Sequence, residues 1–151
     1  MGVKLEGAHI ATVEKLVASG IPVMGHLGLT PQSLHQLGGY RVQGRTDGDA
    51  IVEAAIALEK AGAFAIVLEL VPADLASRIS KALTVPTIGI GAGTDCDAQV
   101  LVWTDMAGLT ANPPKLAKAY RNLRKELMGA AQEFAEEVRS GKFPTESQTF
   151  H

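Results

Sequence analysis

Short apolar runs rich in Val and Ile alternate along this chain with longer segments at helical spacing, and that alternation restricts the fold more than any other feature of the sequence. It predicts parallel strands joined by crossover helices, an α/β architecture. Strands are expected over residues 3–5, 22–27, 65–71, 87–90 and 100–103. Helices are expected over about 10–18, 49–61 and 73–82, with a long helical stretch from 114 to about 139. Most of the strand runs lack polar alternation, as strands covered on both faces do. Asp47 or Asp49 starts the second helix, with Glu53 in its first turn. Pro72 opens the third, where a missing N–H costs nothing. Gly20, Gly62 and Gly141 follow the last periodic residues and mark helix ends.

The number of βα units raises a problem of closure. A closed (β/α)₈ barrel takes about 250 residues, roughly 30 per unit, so 151 residues supply about five units. Such a chain folds as an open sheet, shares a barrel with strands from another chain, or is part of a longer protein. An exposed edge on an apolar parallel sheet would invite pairing, so a partner is expected.

Composition excludes several classes of function. With 46% hydrophobic and 20% charged residues the chain has material for one sizeable core. Fourteen basic against sixteen acidic residues give a net charge of −2 with no run of like charge, so neither nucleic acid nor an acidic membrane is an expected partner. One cysteine, Cys96, allows no internal disulfide and no thiolate cage, which points to a cytoplasmic protein with an inert thiol. The first residues carry two charges and no long apolar stretch, unlike a signal peptide or a membrane span.

Ionisable residues interrupt the apolar strands at a few positions. Lys4 and Glu6 share one face of the first strand. His26 lies in Gly25-His-Leu-Gly28, where it either donates to backbone or binds a carboxylate or keto oxygen. Glu69 sits between Ala65-Ile-Val-Leu68 and Leu70-Val-Pro72, surroundings that would desolvate it. A desolvated carboxylate is the better proton acceptor near neutral pH, whereas one paired with a cation or facing water is merely structural. The longest segment without regular pattern, 28–48, follows a strand's carboxyl end, where ligand sites of α/β proteins gather; it reads as an active-site loop. Gly89-Ile-Gly-Ala-Gly93 either forms an N–H concavity for an anion or lets a loop pack closely; it is neither a dinucleotide fingerprint nor a P-loop. The segment from 114 onward has an amphipathic face expected to pack in the core.

Taken together, Val3-Lys-Leu-Glu-Gly7, Gly25-His-Leu-Gly-Leu-Thr-Pro-Gln32, Gly38-Gly-Tyr-Arg-Val-Gln-Gly-Arg45, Leu68-Glu-Leu-Val-Pro72, Gly89-Ile-Gly-Ala-Gly93 and the ending Gly141-Lys-Phe-Pro-Thr-Glu-Ser-Gln-Thr-Phe-His151 resemble the ketopantoate hydroxymethyltransferase family. The resemblance implies a (β/α)₈ TIM barrel of the phosphoenolpyruvate-binding type. The chain would supply strands four to eight as one partial-barrel domain over 1–151, with terminal helices over 114–140 and an extended tail over 141–151. It also implies the family reaction, transfer of a hydroxymethyl group from 5,10-methylenetetrahydrofolate to 3-methyl-2-oxobutanoate, giving 2-dehydropantoate through a Mg²⁺-stabilised enolate on the route to coenzyme A. Glu69 matches the family's general base, Lys4 and His26 match residues holding the substrate's carboxylate and keto end, and Glu6 matches an acidic residue near the metal, acting through water. The directly metal-binding aspartates and a substrate-holding serine would lie in the first strands, outside this chain. Gly7-Ala8 stands where the family has Gly-Gly. Expected partners are the 2-oxo acid and either copies of the same chain in a homo-oligomer or a complementing N-terminal chain. The alternatives are a related metal-dependent lyase or mutase of 2-oxo acids, and a catalytically silent assembly module.

Overall fold

The computed structural model describes residues 1–35 and 38–151, so two residues of the expected active-site loop lie outside the described residues. Contacts divide the chain into two compact units, 1–100 and 101–151, each described by itself.

The first unit holds β1 (Val3–Glu6), α1 (Ile10–Ala18), β2 (Val23–Gly28), α2 (Gly48–Lys60), β3 (Ala65–Glu69), α3 (Ala73–Ala82), β4 (Thr87–Ile90) and β5 (Ala98–Gln99). All five strands are parallel and lie in the sheet in chain order, β1-β2-β3-β4-β5. Right-handed crossovers between strands that never reverse their order place every crossover helix on the same face of the sheet. The core agrees. Val23, Leu27, Ile66 and Leu68, alternate residues of β2 and β3, pack with Val13 of α1, Leu58 of α2 and Leu75 and Ile79 of α3. One sheet face is thus sealed by helices, and the residues between these project from the other. Sequential order with helices on a single face is consistent with part of a singly wound barrel, whereas a doubly wound sheet would reverse its order.

The first four strands and three helices fall close to where the periodicity places them, except that β3 stops at Glu69 short of Val71, because Leu70 turns to a φ of 48° and leaves the strand. Asp49 rather than Glu53 occupies the first turn of α2, because that helix already begins at Gly48 after Asp47. Gly20, Gly62 and Gly141 all adopt positive φ after their helices. The expected strand over 100–103 is corrected. The fifth strand is Ala98–Gln99, its ladder ends with Val100 N–H donating to the Gly89 carbonyl at 3.0 Å, and Trp103–Met106 forms a short helix, α4. The apolar run misled because Val100, Val102 and Trp103 are all exposed. The Val102 carbonyl turns instead to accept from Asp105 and Met106, starting the helical turn.

In the second unit the helix expected from residue 114 begins only at α5 (Leu123–Ser140). The physical reason lies in the backbone. Tyr120 N–H donates to the Met106 carbonyl and Leu123 N–H to the Ala107 carbonyl, so those donors are engaged outside any helical ladder, and the Asn122 side chain accepts from Lys125 N–H to cap the true start. The expected core packing of this helix is also corrected. No residue of α5 is buried, and Leu127, Met128 and Phe134 are each more than half exposed. Among the described residues the unit has no second long element for that face to pack on; the edge-to-face contact of Phe134 with Phe143, 5.3 Å between ring centres, covers only one position. After the helix the chain turns at Gly141, where Lys142 N–H donates to the Glu137 carbonyl at 2.9 Å, and it forms a 3₁₀ turn at Glu146–Gln148. Among the described residues no helix is long and apolar enough to cross a membrane.

Candidate active site

The open face of the sheet gathers four of the ionisable residues that interrupt the strands. Register aligns Glu6 at the end of β1 with His26 of β2, and Gly28 at the end of β2 with Glu69 at the end of β3. Lys4, Glu6, His26 and Glu69 therefore occupy the same face of three adjacent strands, with Glu6 and Glu69 at the carboxyl ends. In a parallel sheet this is where ligands bind. Lys4 Nζ lies 2.6 Å from His26 Nδ1 and 3.9 Å from Glu6 Oε1, and His26 Nε2 lies 3.2 Å from Glu69 Oε2. The side chains differ in exposure, with Lys4 at 44%, Glu6 at 13%, Glu69 at 14% and His26 at 2%. A cation is thus open to an incoming anion, and the two carboxylates and the imidazole are held in a poorly solvated row beneath it.

Backbone contacts fix Glu69 on three sides. Its carbonyl accepts from Leu29 N–H at 2.8 Å, the next N–H, that of Leu70, donates to the Ile90 carbonyl at 2.9 Å, and the Leu70 carbonyl accepts from Gln43 N–H at 2.9 Å. Leu70 carries a φ of 48°, the one positive value at a non-glycine residue among the described residues. Such a backbone costs of order 1–3 kcal/mol and persists where the surroundings over-determine it, characteristically beside functional groups. Gly28 makes the close approach possible. A Cβ at that position would stand 2.1 Å from the Glu69 carbonyl oxygen, and its φ of +90° favours glycine.

Glu6 is held by the loop after β2, since Gln32 N–H donates to Glu6 Oε2 at 2.9 Å. Among the described residues no three His, Cys, Asp or Glu side chains are placed to hold a metal ion. Glu6 has one oxygen bonded to backbone and the other near both Lys4 and His26, so it fits the outer sphere of a hard cation, accepting hydrogen bonds from water, and not a direct cage.

Part of the glycine run that ends β4 packs closely. Gly93 lies against Ala73, where an added Cβ would stand 2.6 Å from the Ala73 Cβ, and Ala92 belongs to the core. Cys96 is buried in that core, as an inert thiol would be. Two cavities along the described residues of the 28–48 loop are lined by other residues than the four clustered ones. One of about 500 Å³ lies between the starts of α2 and α3, lined by Arg45, Asp49 and Arg78, and one of about 250 Å³ is lined by Gly7, Gly28 and Gln43. The sequence gives no signal for the parts played by Gln32, Gln43 and Leu70, because these act through backbone groups, which any residue type provides.

The model of the ketopantoate hydroxymethyltransferase family matches residues 1–146. Among curated relatives, proteins named 3-methyl-2-oxobutanoate hydroxymethyltransferase are similar to this chain. That of Thermobifida fusca (strain YX) is 59% identical over 98% of this chain and 54% of its own length. That of Moorella thermoacetica is 58% identical over 98% of this chain and 57% of its own length, and that of Acaryochloris marina is 59% identical over 94% and 57%. The chain spans about half the length of the curated relatives it matches. With one family model covering nearly the whole sequence and relatives at this identity, the chain belongs to the ketopantoate hydroxymethyltransferase family.

Proposed function

We propose that the chain carries the base and the anion-binding side of a 3-methyl-2-oxobutanoate hydroxymethyltransferase site, and that Glu69 removes the proton from C3 of the 2-oxo acid. The observation that carries this reading is the convergence of Lys4, His26 and Glu69 on one face of three adjacent strands. Lys4, exposed and cationic, would take the substrate carboxylate, and His26 the keto oxygen, which turns C3 toward Glu69. Deprotonation moves an electron pair from the C3–H bond toward the keto oxygen. Mg²⁺, when bound, supplies Lewis-acid stabilisation of the charge that develops there. Glu6 would hold a water at the edge of that site, its carboxylate oriented by Gln32. C3 then bonds to the one-carbon unit of 5,10-methylenetetrahydrofolate, and with one water the products are 2-dehydropantoate and tetrahydrofolate.

We read the five strands as strands four to eight of a (β/α)₈ barrel, and the whole of 1–151 as one functional domain. The sequential parallel order with helices on one face supports this. The direct metal ligands would come from the part of the longer relatives that this chain does not align with, supplied by a complementing chain or within a homo-oligomer. Cytoplasmic placement follows from the same biosynthetic role.

The test is formation of tetrahydrofolate from 3-methyl-2-oxobutanoate, 5,10-methylenetetrahydrofolate and Mg²⁺. It would be assayed with this chain alone and with this chain mixed with the N-terminal half of the Thermobifida fusca relative. Turnover in the mixture supports the proposal. Association of the two chains without turnover counts against it and favours an assembly role.

A further inference from the structure

His26 is buried within β2, and both of its ring nitrogens face charged groups: Lys4 and Glu6 from β1 on one side, Glu69 from β3 on the other. The roles proposed above leave open which nitrogen carries the proton, although that decides whether the ring gives or accepts a hydrogen bond. An ammonium group has three donors and no lone pair. At 2.6 Å from Lys4 Nζ, His26 Nδ1 can therefore only be the acceptor. The rival partner of Nδ1, Glu6 Oε1, is 3.7 Å away, beyond hydrogen-bond reach. A neutral ring with a lone pair on Nδ1 carries its hydrogen on Nε2. That atom is the buried side-chain nitrogen or oxygen without a hydrogen-bond partner among the described residues, and it points toward Glu69, whose Oε2 is 3.2 Å off but poorly aligned. Buried donors are almost always satisfied, and one that is not is either strained or reserved for a ligand.

We propose that Lys4 sets the tautomer of His26, so that the histidine faces the site as an Nε2–H donor. Lys4 is then a positioning residue as well as a surface for the anion. Held in this state, His26 cannot take a proton at Nε2, and Glu69 is left as the only proton acceptor of the pair. The oxygen that Nε2–H awaits is the keto or carboxylate oxygen of a 2-oxo acid, an identification that rests on the function proposed above, whereas the tautomer does not.

The measurement is a long-range ¹H–¹⁵N correlation spectrum of the histidine-labelled chain near neutral pH, with the His26 signals assigned by their loss in His26→Gln. The expected result is a single neutral tautomer with Nε2 protonated. Lys4→Met, which keeps the length and removes the donor, should lose that single pattern for a mixed or reversed one, and Lys4→Arg, which keeps a donor cation, should retain it. A hydrogen on Nδ1, or on both nitrogens, overturns the inference from the unmodified chain alone, even if Lys4→Met does not fold. An unchanged pattern in a folded Lys4→Met overturns the role of Lys4. Because the spectrum needs no turnover, failure of the tetrahydrofolate assay would defeat the proposed function and leave this result standing.

Discussion

At the scale of single residues, Gly28 and Leu70 bracket Glu69 and show how its position is held. Gly28 lets β2 approach the Glu69 carbonyl, and Leu70 takes a backbone conformation that its side chain disfavours so that its own N–H and C=O can bond to Ile90 and Gln43. Gly28→Ala should therefore destabilise the chain by about 3 kcal/mol. Roughly 1–2 of this comes from left-handed backbone and the remainder from the overlap with the Glu69 carbonyl and Val71. Denaturant unfolding of the two proteins checks it, and a loss below about 1 kcal/mol would mean that the two strands can separate at no great cost. That Lys4, Glu6, His26 and Glu69 stand apart from their strands was legible in the sequence. An ionisable side chain in an otherwise apolar strand is an anomaly that periodicity exposes, and strand alternation puts Lys4 and Glu6 on one face. Gln32, Gln43 and Leu70 were not legible, since their contacts join segments far apart in the chain through atoms common to all residues.

At the scale of elements, the helices with clear stops were read within a residue or so, whereas β5, α4 and the start of α5 were not. The difference is physical. α1, α2 and α3 bury an apolar stripe, which writes a period into the sequence, while 98–122 is held by backbone hydrogen bonds and carries exposed apolar residues whose pattern has no burial behind it. The joins between elements also depend on two carboxylates that sequence reading passed over. Glu59 of α2 accepts from Val85 N–H, Thr84 N–H and the Thr84 hydroxyl, and these bonds lower its pKa. Asp97 accepts from Thr87 N–H and the Thr87 hydroxyl, tying the segment before β5 to β4, and these lower its pKa as well. Each group holds its proton less tightly folded than unfolded, so its stabilising contribution is fully present above the ordinary values, 4.5 for Glu and 3.8 for Asp. It is lost as pH falls below them toward the lowered ones. Unfolding midpoints should accordingly drop as the solution is acidified from pH 6 through these ordinary values. Glu59→Gln should be less stable than the unmodified chain at pH 6 and show a shallower decline. Parallel declines in the two proteins would remove Glu59 from this role.

At the scale of the whole molecule, the sealed and the open face of the sheet divide the labour. Helices cover one side with the apolar core, and the other presents Lys4, Glu6, His26 and Glu69, with Glu6 and Glu69 at the carboxyl ends of their strands. The parallel α/β sheet was legible in the alternation of apolar runs and helical segments, whereas a barrel was suggested only by the count of βα units and the family resemblance, because closure would depend on strands beyond the five found here. Removal of the C3 proton by Glu69, as proposed above, can be followed by hydrogen–deuterium exchange. In deuterated buffer with Mg²⁺, the methine signal of 3-methyl-2-oxobutanoate is followed by proton NMR with this chain and the N-terminal half of the Thermobifida fusca relative. The unmodified mixture should wash out that signal, and Glu69→Gln should slow the exchange by about 10²-fold or more while the substrate still binds. Exchange undiminished in Glu69→Gln, or none from the unmodified mixture, would contradict the account.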